Sequence, residues 1–317
     1  MWSGESALDL VVRTQPARAF STGLRCLDAA SSGARGFEPR DVVEIAGDPS
    51  AAPLSLVLLH VIAGDPSAAP LSLVLLHVVA AFLLRDRDDA SDERVYLFDH
   101  ECEATPALLF HLLVERLHDI ESLSATARRA MNRVTLYQCR DALQWLATLN
   151  QLHYDLLDVA PTQSLVIINR VDSFQPIDKM VAKRVGDAAA MGDSLLLLLK
   201  QFVRYHSPFV FASKAIAAPR QGWETTETMP SSWTSQVTKR VVMRGRPALA
   251  NGSVTQGLIE TVEVRVVVDR QSRVRTVTVD GHRITEEEEV SDLETSMAST
   301  DASDVAPTLT AAELWGH

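Results

Sequence analysis

The sequence predicts an α/β domain: a mostly parallel sheet flanked by helices, finished by antiparallel strands at its C-terminal end. Three observations predict it. Short β-rich apolar runs alternate with longer leucine-rich segments between residues 41 and 212. The longer segments carry apolar side chains at three- and four-residue spacing, the period of one helix face. From residue 237 onward strand-like runs follow one another with no helical run between them.

Each element follows in order. Residues 41–46 (DVVEIA) read as a buried strand and 71–84 as the helix after it. Residues 95–98 (VYLF) are a second strand, and 106–118 (PALLFHLLVERLH) a helix. Residues 134–137 make a short strand and 142–157 a leucine-rich helix. The fully apolar run 165–168 (LVII) is a strand, 191–205 a helix, and 208–212 (PFVFA) a further strand. The order βαβαβαβαβ belongs to a parallel sheet with crossover helices. After it come KRVVMRG (239–245), TVEVRVVVDR (261–270) and SRVRTVTVDGHRI (272–284), which predict antiparallel strands extending that sheet. Asp280-Gly281 reads as the tight turn between the last two β-rich pieces.

One feature interrupts the pattern. Residues 45–61, IAGDPSAAPLSLVLLHV, recur unchanged as residues 62–78. Solenoid units diverge and need at least three copies to bury a core, so the duplication is not a repeat architecture. It reads as a recent in-frame duplication or an error of sequence assembly. One copy is expected to form the structural element, and the other a bulged loop or an added helical turn.

The chain has 317 residues, 46% of them hydrophobic, enough for one large domain with a tail. The apolar stretch 54–84 is broken by His60, Asp65, Pro66, Pro70 and His77 before it reaches the roughly 20 clean residues of a membrane span. No membrane partner is therefore expected. Residues 1–13 carry Glu5 and Asp9 and no basic segment followed by a long apolar one, which predicts no secretory leader and an intracellular protein. Cys26, Cys102 and Cys139 lie far apart with no paired spacing, predicting reduced thiols and no metal site. His60 and His77, copies of one another, read as structural histidines. The net charge is −11, but nine of the 41 acidic residues fall in residues 286–317, where there is no Lys or Arg. That tail, rich in Ser, Thr, Ala and Asp, is predicted to be disordered. The body is nearly neutral, and residues 237–285 hold nine basic residues against four acidic ones.

The segment STGLRCLD (21–28), followed by Gly36, the strand DVVEIAG and a glycine-led turn into a helix, resembles the start of the core in RecA-family recombinases and their paralogues. YLFDHE (96–101) is similar to that family's strand ending in an acidic pair. LVIIN (165–169) stands where its second metal-side strand ends, and PFVFASK (208–214) looks like its sensor strand. The resemblance covers roughly residues 18–285. It implies a RecA-like P-loop ATPase core there, with residues 1–17 as an N-terminal extension and 286–317 as the acidic tail.

A working phosphate loop reads G-x-x-x-x-G-K-[ST]: main-chain amides cradle phosphates, the lysine neutralises charge and the hydroxyl binds Mg²⁺. The corresponding residues are Gly47, Asp48, Pro49, Ser50, Ala51, Ala52, Pro53 and Leu54, repeated from Gly64 through Ser67 to Leu71. Proline stands for the lysine in both copies, removing an amide as well as a charge. Leucine stands for the hydroxyl, and Ser55 and Ser72 come one residue late. The metal-side strand ends in Asn169 where the family has Asp, a neutral amide where a hard dication wants a carboxylate. Asp172, on the following loop, is a conceivable substitute. Glu101 matches the acid that orients the attacking water; the other reading is a solvated carboxylate at a strand end. The degenerate nucleotide pocket would thus comprise Gly47, Asp48, Pro49, Ser50, Gly64, Ser67 and Asn169, with Glu101 vestigial and no cofactor expected, or ATP and Mg²⁺ if the pocket still works.

By the same resemblance, a loop near residues 215–233 faces DNA. Arg220 and Trp223 offer a charge and a stacking surface, opposed by Glu224 and Glu227, so a plain surface loop is the competing reading. Lys239, Arg240, Arg244 and Arg246 form the stronger phosphate-contact candidate. The resemblance implies a nuclear, non-catalytic subunit of a recombination-repair assembly, bound to other recombinase paralogue subunits and to single-stranded or branched DNA. Residues 8–12 (LDLVV) are a candidate strand for pairing with a neighbour's sheet edge. The alternative is a residual, DNA-dependent ATPase with an unconventional phosphate loop.

Overall fold

The computed structural model describes residues 19–31, 36–47, 70–85, 93–117, 123–157, 163–185, 191–216, 227–245, 259–268, 271–280 and 283–286. All of them fall in the first of two units, Met1–Glu286 and Glu287–His317. The parallel strands are β1 (Val42–Gly47), β2 (Arg94–Asp99), β3 (Val134–Tyr137), β4 (Ser164–Asn169), β5 (Phe209–Ala215) and β6 (Lys239–Gly245). The antiparallel strands are β7 (Ile259–Val268), β8 (Gln271–Asp280) and β9 (Arg283–Glu286). Together they make one sheet in the order β3-β2-β4-β5-β1-β6-β7-β8-β9.

Six strands, β3 to β6 in that order, run parallel. β6 is a correction to the expectation that the C-terminal strands are all antiparallel: it pairs with β1 in parallel, Glu44 against Arg240. The reason is the connection. β5 and β6 lie on opposite sides of β1, both parallel to it, so the chain returns to the same end of the sheet between them, and such a crossover delivers a parallel strand. The antiparallel part begins at β7, which pairs with β6; β8 pairs with β9 with Asp280 opposite Arg283, and Gly281 and His282 of the expected turn lie outside the described residues.

The helices are α1 (Arg25–Asp28), α2 (Pro70–Leu84), α3 (Pro106–Arg116), α4 (Leu123–Met131), α5 (Ala142–Asp155), α6 (Gln175–Val185), α7 (Met191–His206) and α8 (Ser231–Thr234). The sheet's period-two alternation sorts its side chains between two layers. Val43, Ile45, Val95, Leu97, Leu165, Ile167, Phe209 and Phe211 face α2, α3 and α4. Val42, Tyr96, Phe98, Val166, Ile168, Val210 and Ala212 face α5, α7 and α8. Helix α2 is buried on nearly every side, which is why it reads as an unbroken apolar run. Helix α5 starts cleanly: Asp141 accepts from the Gln144 amide at 2.7 Å while Gln144 Oε1 accepts from the Arg140 amide at 2.8 Å.

Helices α1, α4, α6 and α8 were not foreseen. Two are single turns, α4 is mostly Ala and Arg, and α6 leaves Ile177, Met180 and Val181 exposed, so none shows a leucine stripe. Of the duplicated residues, β1 takes Ile45-Ala46-Gly47 from the first copy and α2 takes Pro70 through Val78 from the second, while residues 48–69, on which the expected loop or added turn falls, lie outside the described residues. The flanks dictate this, because Val42–Glu44 precede only the first copy and Val79–Leu84 follow only the second.

The motif STGLRCLD is a closed turn. The Asp28 carboxylate accepts from the Thr22 amide and hydroxyl, both at 2.8 Å, from Ser21 Oγ at 2.7 Å and from the Gly23 amide at 3.2 Å. It delivers Phe20 to a bridge with Phe37, and Phe20 packs edge-on against Phe82 and Phe209 in the core. His77 is buried, with Nδ1 3.0 Å from Arg116 Nη2. His60, its copy, lies outside the described residues.

Candidate functional site

Parallel α/β sheets present their ligand crevice at the carboxyl ends of the strands. Here that edge is formed by Gly47 of β1, Asp99 of β2, Asn169 of β4 and Ser213 of β5, faced by Ser72 in the first turn of α2. Asn169 is the hub. Its Nδ2 donates to Asp99 Oδ1 at 2.8 Å and reaches Glu103 Oε2 at 3.4 Å. Its Oδ1 accepts from Ser213 Oγ at 2.8 Å and lies 3.3 Å from Ser72 Oγ. Ser72 Oγ donates to Glu103 in a short hydrogen bond. Asp99 Oδ2 accepts from the Ala104 amide at 2.8 Å, and Ser213 Oγ accepts from the Arg170 amide at 2.8 Å. Asp99, Asn169, Ser72 and Ser213 are all buried.

The chemistry of this donor set decides what it can hold. A hard dication needs free carboxylate oxygens and a hydroxyl lone pair turned toward it. Among the described residues both Asp99 oxygens and Glu103 Oε2 face hydrogen-bond donors of the protein itself, and the strand-end residue is a donor. Leu71, in the place of the metal-binding hydroxyl, leans on Gly47 so closely that a Cβ there would come within 2.7 Å of its side chain. The residues described here therefore do not fit a magnesium–nucleotide group.

Of the sequence-derived pocket residues, Gly47 and Asn169 are in place, while Asp48, Pro49, Ser50, Gly64 and Ser67 lie outside the described residues. Glu101 is exposed and accepts from Ser173 Oγ at 2.6 Å; the acid brought against Ser72 and Asn169 is Glu103, which sequence reasoning missed. The signal was there in HECEA, where Glu103 alternates with Glu101 past the strand end. Asp172, the conceivable metal substitute, is paired with Arg170 at 3.1 Å and accepts from the Ala215 amide. Arg170 itself has φ 66, the left-handed conformation that turns the chain sharply after β4.

Of the basic candidates, Lys239 and Arg240 are engaged by carboxylates of the protein itself. Lys239 is buried and paired with Asp41 at 2.5 Å. Arg240 is half-buried and paired with Glu44 at 2.7 Å and Glu227 at 2.9 Å. Arg244 belongs to β6, opposite Glu263 of β7. Arg220 and Arg246 lie outside the described residues, as does Trp223.

Glu44 organises a second polar cluster. It is fully buried in the middle of β1, and its carboxylate is met by Arg240, by Lys214 of β5 at 3.3 Å and by Trp233 Nε1 at 2.6 Å. Glu227 closes the cluster, bonded to Lys214 at 2.7 Å and to the Met229 amide at 2.9 Å. Burial pushes the Glu227 carboxyl up, but the Lys214 hydrogen bond, the Met229 amide and the charges of Lys214 and Arg240 outweigh it, so it titrates below its ordinary value. Two cations and two carboxylates balance, which is what allows charge inside the sheet.

Beside the first cluster, His100 packs with its ring tilted against Trp145, centroids 4.5 Å apart, and Phe174, 4.9 Å apart. Burial lowers its pKa to about 4 against the opposing pull of Asp99 and Glu101, so the ring is neutral near pH 7. No group of three or more His, Cys, Asp and Glu suited to a metal ion occurs among the described residues.

No protein-family model matches the sequence. No curated protein matches it either. Among solved structures, the chain is similar to the crystal structure of the RadB recombinase, with a TM-score of 0.52 at 14% sequence identity, over 85% of this chain and 100% of that one. At that identity the likeness bears on the fold. The six parallel strands, their flanking helices and the crevice at the strand ends constitute a RecA-like α/β core.

Proposed function

We propose that this protein is a non-catalytic RecA-like subunit of a homologous-recombination DNA-repair assembly in the nucleus, a pseudo-ATPase that binds neighbouring recombinase paralogue subunits and helps place them on DNA. The observation that carries the non-catalytic part is Asn169, whose amide donates to both Asp99 and Glu103 where a nucleotide hydrolase keeps its metal carboxylate. Phosphoryl transfer depends on charge neutralisation and positioning. The lysine, the hydroxyl and the metal acid are replaced by Pro70, Leu71 and Asn169. The leucine-rich helix α5 before LVIIN and the stretch Asp172-Ser173-Phe174 resemble the short X-ray-repair cross-complementing paralogue, the second of that name, and the proposal places the chain beside it.

Docking by strand addition fits the sheet. Strand β3 pairs on one side only among the described residues; three of its four residues are partly buried and Thr135 is exposed. Residues 8–12 (LDLVV) would serve the same purpose toward another subunit. DNA placement is assigned to the assembly, because the charges of Lys239 and Arg240 are engaged by Asp41, Glu44 and Glu227.

The test is a titration of the purified protein with a fluorescent ATP analogue, with and without Mg²⁺. No saturable binding at millimolar nucleotide is expected. Metal-dependent saturation would overturn the reading in favour of a residual ATPase.

A further inference from the structure

Helix α6 faces solvent with an apolar stripe. Ile177, Met180 and Val181 are 62%, 59% and 52% exposed. Their spacing of three and four residues puts them on one side of the helix. The opposite side is the one that packs: Asp178 Oδ2 accepts from the Gly192 amide of α7 at 2.8 Å, and Lys179 Nζ donates to the Thr228 carbonyl at 2.7 Å. Burial raises the Asp178 carboxyl pKa, in keeping with its inward position. The sole acid of α6 is thereby turned away from the stripe. Arg184 continues the stripe at the C-terminal end, four residues after Met180, and Lys183 flanks it; both are exposed, and no ion pair among the described residues engages either. Met191, just before the Gly192 that Asp178 holds, is 40% exposed.

We infer that α6 is a docking site for a short acidic amphipathic helix of a partner protein, whose apolar residues cover Ile177, Met180 and Val181 and whose carboxylates meet Lys183 and Arg184. The stripe is apolar at its centre, which selects a protein side chain over a phosphate backbone. The charge at its end and flank is entirely positive on a chain of net charge −11, so the complement is an acidic segment. The helix has 11 residues, roughly 16 Å, too short for a standard globular interface of about 800 Å² per partner. It suits a helix laid along a single face, read at i, i+3, i+4 and i+7. The inference rests on the adaptor reading for its purpose, but its geometry stands apart from the nucleotide crevice.

The experiment uses the full chain and a fluorescein-labelled synthetic helical peptide with leucines at i, i+3, i+4 and i+7 and glutamates at its exposed positions, followed by fluorescence anisotropy. Saturable binding is expected. It should weaken at least tenfold in the Ile177→Asp/Met180→Asp variant and severalfold in Lys183→Glu/Arg184→Glu, and be unchanged in Lys200→Glu, an exposed charge on α7. Circular dichroism checks that the variants fold. The inference is overturned by absent binding or by binding indifferent to these variants. It is equally overturned if the α6 variants abolish binding of a labelled single-stranded oligonucleotide, or concentration-dependent self-association, while leaving the peptide alone. None of these failures restores magnesium-dependent nucleotide binding, so the adaptor reading is judged separately.

Discussion

Asn169 Nδ2 donates to Asp99 Oδ1 at 2.8 Å across the ends of β4 and β2, two residues that are also register partners in the sheet. An aspartate at 169 would set a third carboxylate beside Asp99 and Glu103; the amide instead supplies hydrogen to both. Substituting a donor for the usual acid makes the strand ends self-sufficient, and several consequences can be measured.

Asn169→Asp should destabilise the fold by about 3 kcal/mol or more, the cost of leaving a buried charge uncompensated. Urea unfolding at pH 7.5 reads this as a lower midpoint with an unchanged slope. Millimolar Mg²⁺ should raise the midpoint of the variant and leave the wild type where it is. A neutral substitution, Asn169→Ala, should cost less, about 1–3 kcal/mol for the unsatisfied partners.

Glu44→Gln should be among the most damaging single changes in the sheet, about 3 kcal/mol, because Lys214 and Arg240 would share only the partly exposed Glu227. Adding Lys214→Met to that variant should recover part of the loss. A double-mutant cycle in urea isolates the coupling.

His100 and His206 predict acid sensitivity. Both are held to about 4, His100 by burial and His206 by burial followed by the His153 charge. Between an unfolded value of about 6.5 and the folded value, the unfolded chain binds more protons, so stability is full above pH 6.5 and falls as pH drops toward 4. His100→Phe should flatten that slope, seen as a smaller difference between urea midpoints at pH 7.5 and pH 5.

Deleting residues 48–64 should leave a folded and more stable protein. The strand β1 and helix α2 come from different copies, and the deletion shortens the 22-residue connection between them by 17, to five. Loop-closure entropy alone favours the shorter chain by about 1 kcal/mol. A Tm increase of a few degrees in scanning calorimetry is expected; an unfolded product would show that the second loop segment is needed by the core.

The sequence by itself determined the parallel core. Leu165–Ile168 and Phe209–Ala212 are apolar on both faces because helices cover both, and that burial writes itself into composition. It also determined the loss of the phosphate-loop lysine, a matter of residue identity at a fixed spacing. Helix α6 was not legible, since Ile177, Met180 and Val181 face outward rather than into the core, nor was the parallel sense of β6, which depends on the path of a crossover. The tertiary structure alone decided which acid meets Asn169: Glu101 and Glu103 are two residues apart past the end of β2, and only the local turn selects which is directed at Ser72. It likewise decided that Lys239 and Arg240 are internal partners of Asp41, Glu44 and Glu227, whose positions in sequence lie as much as 198 residues away from them. Residue type and periodicity report what a segment buries. Which charged groups meet depends on the register of strands distant in sequence, and that is set only when the sheet closes.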